Sequence, residues 1–309
     1  MALYVNDEGV GSVPTPQATA VGKSILADLS LLGICVIWGT SFAIVKSVVR
    51  GFDPAAFIAA RFIVATLLIG IVAGPRLRRL SLRTLAAGAV LAVPLFVGFL
   101  TQTLGLAATT ASKAGFITGM HVAFTPFLAF VVLGKRVRVW AAIGVSMAVV
   151  GLGMLSLDGS VRPAQGDLLV LACAFAFAVH IVLLGKYSPQ SDGVLLAFTQ
   201  MAWVTVIACM FAGPDLRDLA GFGREAALSA VYLGATGTAL AYLVQTVAQK
   251  YTPPTRAALI FQMEPVLAAL FANLWLGEAM SARQFAGAGL ILAGILVCQV
   301  GDLRFAREG

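Results

Sequence analysis

The chain has 309 residues, of which 60% are hydrophobic and only 11% charged, and its mean hydropathy is +0.94. A water-soluble chain of this length needs a charged surface around its core, so the composition excludes soluble globular classes and points to one polytopic membrane domain. The formal charge of +7 calls for no nucleic-acid partner, because membrane topology itself concentrates Lys and Arg on one side.

Residues 1–24 are polar and carry "SVPTPQ", the composition of a disordered cytoplasmic tail. The first apolar run, from about Ile25 to Val49, is too long for a cleavable signal and lacks a small-residue cleavage motif, so it is expected to stay in the membrane. Charge, Pro and Gly punctuation then predicts spans over 25–48, 55–74, 84–107, 112–133, 138–157, 166–186, 193–212, 226–249, 256–277 and 282–301. Most approach the roughly 20 residues a bilayer core requires. A short tail over 302–309 closes the chain. Ten spans put both termini on one side. With the N-terminus inside, thirteen Lys and Arg fall in inner segments, including Arg76, Arg78, Arg79, Lys135, Arg136 and Arg138, against six outside. The positive-inside rule therefore makes both termini cytoplasmic, in a bacterial inner membrane. Cys35, Cys173, Cys209 and Cys298 each sit in a different apolar run without CxxC spacing, and read as small core residues rather than metal ligands or disulfide partners.

An internal repeat organises these spans. An offset of 143 lays "QTLGLAATTASKAGFITGMHVAFTPFLAFVVLGK" on "QTVAQKYTPPTRAALIFQMEPVLAALFANLWLGE" without a gap, pairing Gln102 with Gln245, Thr103 with Thr246 and Met120 with Met263. The register continues through Gly144 with Gly287 and Gly151 with Gly294, and an earlier offset of 139 pairs Asp28 with Asp167 and Asp53 with Asp192. The chain thus divides into residues 25–157 and 166–301, five spans each. An odd number of spans inverts the second copy, an architecture that secondary transporters use to hold substrate near the midplane.

The segments "WGTSFAIVK", "RF", "GDLLVLACAFAFAVHIVLLGKY" and "MEPVLAALFANLWLGE" resemble the EamA family of the drug/metabolite transporter superfamily, and the resemblance covers nearly the whole chain. It implies a ten-helix all-α fold in which spans 1 to 4 and 6 to 9 surround a central cavity, with spans 5 and 10 as scaffold. Within the family, the YddG-type amino-acid exporters are the expected nearest group. One departure weakens strict symmetry between the halves: where the family commonly closes both with an acid after Leu-Gly, as Glu278 does, the first half has Lys135.

Five ionisable residues fall inside the predicted spans: Lys46, Arg61, His121, His180 and Glu264. A midspan charge costs roughly 2.5–3.5 kcal/mol, so such residues usually face a cavity and pair or bind. Glu264 is matched with His121 at the 143 offset, and both approach the midplane. They either contact the substrate or carry a proton, or else Glu264 braces the helix break expected at Pro265. Lys46 either snorkels from the end of its span or meets substrate. Arg61 either recognises a carboxylate or ties helices together, and His180 either donates between helices or faces the cavity. The aromatics Trp38, Phe42, Phe99, Phe124 and Tyr242 complete the expected cavity wall, which suits a mostly apolar zwitterion better than a phosphorylated compound. Pro94 and Gly237, matched at the 143 offset, are either hinges for alternating access or static kinks.

The expected function is secondary export of small amphipathic metabolites, amino acids with hydrophobic or aromatic side chains first among them, or of other metabolites or drugs handled by the same superfamily. An intramembrane enzyme would need a nucleophile with its base, paired intramembrane aspartates or a metal motif such as HExxH. The sequence has none of these, and Asp28, Asp53, Asp158, Asp167 and Asp192 all fall at span ends. No ATP-binding loop, cofactor motif or metal motif is present, so the expected partners are a small-molecule substrate and the lipid bilayer. A monomer is compatible with this unit.

Overall fold

The computed structural model describes residues 16–48, 53–109, 111–156, 165–221, 223–267, 270 and 281–308. Its helices are α1 (Pro16–Val48), α2 (Pro54–Ala73), α3 (Leu82–Ala108), α4 (Ala111–Gly119), α5 (His121–Leu133), α6 (Val139–Ser156), α7 (Gln165–Tyr187), α8 (Gly193–Ala212), α9 (Arg224–Tyr232), α10 (Ala241–Ala248), α11 (Pro254–Ile260) and α12 (Ala282–Glu308). A π-helix over Leu233–Leu240 joins α9 to α10. No strand occurs among the described residues.

Among the described residues, seven helical stretches are long and apolar enough to cross a membrane, and α6 and α12 hold shorter apolar stretches, Val139–Met154 and Ala282–Cys298. The expected span over 256–277 runs partly outside the described residues, as does Glu278. Apart from the apolar core, large hydrophobic side chains also face outward while many polar ones are buried. Leu82, Ile71 and Met210 are 84%, 75% and 75% exposed, whereas Thr125, Gln200, Thr238, Thr246 and Gln262 are completely buried. Such an arrangement is stable where the surroundings are hydrocarbon and polar groups must find partners inside. The chain is an all-α, multi-pass membrane protein.

The observed helices depart from the predicted ones in two ways. Helix α1 begins at Pro16 and α12 runs to Glu308, so helix enters both stretches read as tails. Extending an existing helix needs no new nucleus. More important for the site, the predicted spans over 112–133 and 256–277 are broken. Helix α4 stops at Gly119 and α5 starts at His121, while α11 stops at Ile260 and helix resumes at Met263. At these points the backbone bonds shorten to three residues, Met120 N to Ile117 O (3.0 Å) and Gln262 N to Leu259 O (3.1 Å). Pro265 contributes to the second break, because its ring crowds the carbonyl four residues back at Phe261 and it lacks an N–H. The Gln262 Nε2 donates to Gly119 O at 2.8 Å, joining one break to the other and satisfying a carbonyl inside the membrane.

Contacts recur at the sequence offsets. Asp53 caps α2 by accepting from Ala56 N (2.8 Å), and Asp192 caps α8 by accepting from Val194 N (2.9 Å). Capping satisfies amides that have no intrahelical acceptor. Thr66 and Thr205, 139 apart, share a hydrogen bond of 2.9 Å. Thr109 Oγ1 donates to Asp167 Oδ1 at 2.6 Å, and its counterpart Thr252 donates to Asp28 Oδ1 at 2.8 Å. In the α6/α12 contact, a Cβ on Gly144 would lie 2.6 Å from Gly294 O, one on Gly294 would lie 2.6 Å from Gly144 O, and one on Gly151 would lie 2.6 Å from Gly287 O. Only glycine lets two helix backbones approach this closely.

Candidate functional site

A central cavity offers about 50 Å³ to the centres of water molecules, room for a few waters when each needs on the order of 10–15 Å³ by that measure. Helix α1 contributes Trp38 and Ser41, α2 Arg61, α3 Phe99 and Gln102, α4 Thr118 and α5 His121. From the second half come Phe177, His180 and Ile181 on α7, Tyr242 and Gln245 on α10, and Phe261 and Glu264 flanking the break after α11. These residues pair by the sequence offsets. Trp38 matches Phe177 and Ser41 matches His180 at 139, while Phe99 matches Tyr242, Gln102 matches Gln245, Thr118 matches Phe261 and His121 matches Glu264 at 143. The ring contacts repeat as well, Trp38 to Tyr242 at 5.6 Å and Phe177 to Phe99 at 5.6 Å.

The matched positions differ in chemistry. Arg61 is 4% exposed. Its Nε donates to Thr238 Oγ1, its Nη2 donates to Gly237 O at 3.3 Å, and its guanidinium lies 4.6 Å from the centroid of the Phe99 ring. The Gly237 carbonyl also accepts from Trp38 Nε1 at 2.9 Å. Both acceptors belong to the π-helix, whose widened turn frees backbone carbonyls from the ordinary helical ladder. The counterpart of Arg61 is Gln200, which backs His180 at 3.0 Å and donates its own amide to Thr246 Oγ1 at 2.8 Å. With the Gln200 nitrogen committed to Thr246, its oxygen accepts from His180 Nε2. Two buried lining atoms, His121 Nδ1 and Gln245 Oε1, have no hydrogen-bond partner among the described residues. Leaving such atoms unsatisfied costs about 1–3 kcal/mol each, a cost that a polar ligand in the cavity would relieve.

Of the residues expected from sequence, the cavity brings together Trp38, Arg61, Phe99, His121, His180, Tyr242 and Glu264. Three others are placed elsewhere. Phe42 packs in a buried cluster with Phe57, Leu106 and Leu233. Phe124 stands edge-on to Phe175 at 5.7 Å. Lys46 donates to Leu106 O and, at 2.6 Å, to Thr109 O, where a cation satisfies the last carbonyls of α3. Helix α3 continues through Pro94, and Gly237 lies in the π-helix with its carbonyl held by two donors. Sequence reasoning missed Gln102 and Gln245 as lining residues, although their identity at matched positions was the available signal. It also missed Ser41, Thr118 and Phe261.

An apolar exterior around a tight polar and aromatic cavity defines a membrane carrier for small molecules, and comparison with known proteins agrees. The family model described as the EamA-like transporter family matches residues 25–157 and again 164–299, and the chain belongs to that family, within the drug/metabolite transporter superfamily. An uncharacterized transporter of Archaeoglobus fulgidus is 31% identical over 275 residues, covering 89% of this chain and 86% of its own length. A probable amino-acid metabolite efflux pump of Salmonella typhimurium is 27% identical, covering 87% of this chain and 93% of its own. A probable terminal-alkyne amino-acid exporter of Streptantibioticus cattleyicolor is 24% identical, with coverage of 88% and 93%. A crystal structure with a TM-score of 0.72 and 19% identity covers 92% of this chain and 99% of its own, which establishes the likeness of fold. The chain is a transporter, not an enzyme.

Proposed function

We propose that the protein is a secondary exporter of small amphipathic metabolites, with amino acids bearing hydrophobic or aromatic side chains as its principal substrates. The observation that carries this reading is the cavity itself, which sets a carboxylate (Glu264) and a guanidinium (Arg61) among the rings of Trp38, Phe99, Phe177 and Tyr242. Glu264 suits an ammonium group and Arg61 a carboxylate, while the rings receive the side chain. The names of the Salmonella and Streptantibioticus relatives, an amino-acid metabolite efflux pump and an amino-acid exporter, support the same class. An exporter of the YddG type is the narrower form of the reading.

Transport would proceed by alternating access between two inverted five-span repeats, with both termini in the cytoplasm of a bacterium. The recurring contacts at offsets of 139 and 143 support this, because two inverted halves offer two conformations of comparable packing. At about 50 Å³ the cavity is too tight for an aromatic amino acid, so loading requires the halves to part. The ties from Thr109 to Asp167 and from Thr252 to Asp28 are the contacts whose alternate release would open it. A panel of labelled amino acids should be carried across proteoliposome membranes, with and without a pH gradient. Absence of flux for every amino acid by folded protein would overturn the substrate class.

A further inference from the structure

Away from the central cavity, two grooves lie against α12 and share one residue. The first, of about 520 Å³, is lined by Lys135, Arg136, Arg138 and Arg256, and no Asp or Glu lines it among the described residues. The second, of about 350 Å³, is mainly apolar, lined by Leu29, Leu32, Leu292 and Leu296 together with the paired Asp28 and Arg256. Arg256 is held between them, with its Nε 3.4 Å from Asp28 and its Nη2 donating to Ser24. Lys135, Arg136 and Arg138 are exposed in the short connection from α5 to α6, at the end of a span where headgroups lie.

We propose that the two grooves together hold one anionic phospholipid. Its phosphate is received by Lys135, Arg136 and Arg138, and one acyl chain runs past Arg256 along the apolar groove beside α12. Charge complementarity selects the headgroup, since a cluster of cations at a span end attracts anionic lipid over zwitterionic lipid. The adjoining apolar groove separates a lipid from a free anion, which would gain nothing from contact with leucines. The inference is independent of the transported substrate, and none of its cations lines the central cavity.

Native mass spectrometry of the full-length protein, equilibrated with equal dioleoyl phosphatidylglycerol and dioleoyl phosphatidylcholine, tests it. The wild type should retain phosphatidylglycerol preferentially, and excess inorganic phosphate should not displace it. Each surface cation contributes about fivefold to the binding of anionic lipid, so K135Q/R136Q should weaken retention by about 25-fold. R76Q/R78Q, which removes two exposed cations elsewhere, should leave it intact. Equal retention of both lipids by the wild type, unchanged retention by K135Q/R136Q, or equal loss in R76Q/R78Q would overturn the proposal. Displacement by phosphate alone would mean a site for soluble anions instead.

Discussion

If Arg61 receives the carboxylate of a zwitterion, replacing it should discriminate between substrates that have a carboxylate and those that lack one. The guanidinium has five N–H donors. Thr238 Oγ1 and Gly237 O occupy two of them, which leaves three for a ligand, and the Phe99 ring 4.6 Å away restricts the plane of the group. A hydrogen bond to a charged group is worth about 1.5–3 kcal/mol, equivalent to roughly 10- to 150-fold in affinity. Arg61→Gln should therefore raise the KM for phenylalanine by that factor and leave phenethylamine, which has the ring and ammonium but no carboxylate, close to its wild-type value. Initial rates for both compounds in the same proteoliposome preparation provide the measurement. Any general loosening of the π-helix would affect both substrates alike and cancel in their ratio. Equal losses for the two compounds would refute carboxylate recognition and leave Arg61 as a tie between helices.

Glu264→Gln preserves the shape of the side chain and removes its charge; if Glu264 carries a proton, export driven by a pH gradient should fall to near the ungraded rate while substrate exchange persists. Identical pH dependence in variant and wild type would remove Glu264 from proton coupling. At the scaffold contact, Gly144→Ala places a methyl group 2.6 Å from the Gly294 backbone oxygen, an overlap that costs about 1–3 kcal/mol and should lower the thermal unfolding temperature in detergent. Gly33→Ala has nothing within 4 Å and should be neutral or stabilising by up to about 1 kcal/mol. Equal effects of the two substitutions would contradict the close approach of α6 and α12.

Identities at fixed spacing were legible in the sequence. That spacing placed His121 with Glu264 and Phe99 with Tyr242, and all four line the cavity. Facing was far less legible. In a soluble helix the polar residues mark the solvent side, but a helix in hydrocarbon is apolar on both its lipid face and its packing face. Phe42 follows Ser41 by one residue, about 100° around the helix, and this rotation carries it from the cavity into the cluster with Phe57 and Leu106. The helix breaks were legible only in part: one was expected at Pro265 and none near Met120. Pro265 announces a perturbation, but the interruption lies at Phe261 and Gln262, and beside the matching break at Met120 the Gly119 carbonyl accepts a long-range bond from Gln262. No local preference at Leu233–Leu240 predicts a π-helix; its Gly237 carbonyl, instead, serves donors on α1 and α2.

The contrast between matched positions and unmatched chemistry bears on how such a carrier would work. Ties such as Thr109 to Asp167 and Thr252 to Asp28 repeat nearly unchanged, whereas the cavity sets Arg61 against Gln200, His121 against Glu264 and Ser41 against His180. Under the proposed inverted repeat, similar ties keep the two open conformations close in energy, so modest differential binding suffices to move the equilibrium between them. Asp28 also forms an ion pair with Arg256 at 3.4 Å. A symmetric lining would bind a zwitterion equally well in two opposed orientations. With the guanidinium drawn from α2 and the carboxylate from the break after α11, the proposed site would favour one orientation, and under alternating access the substrate would keep its polar ends on the same residues while the halves moved around it.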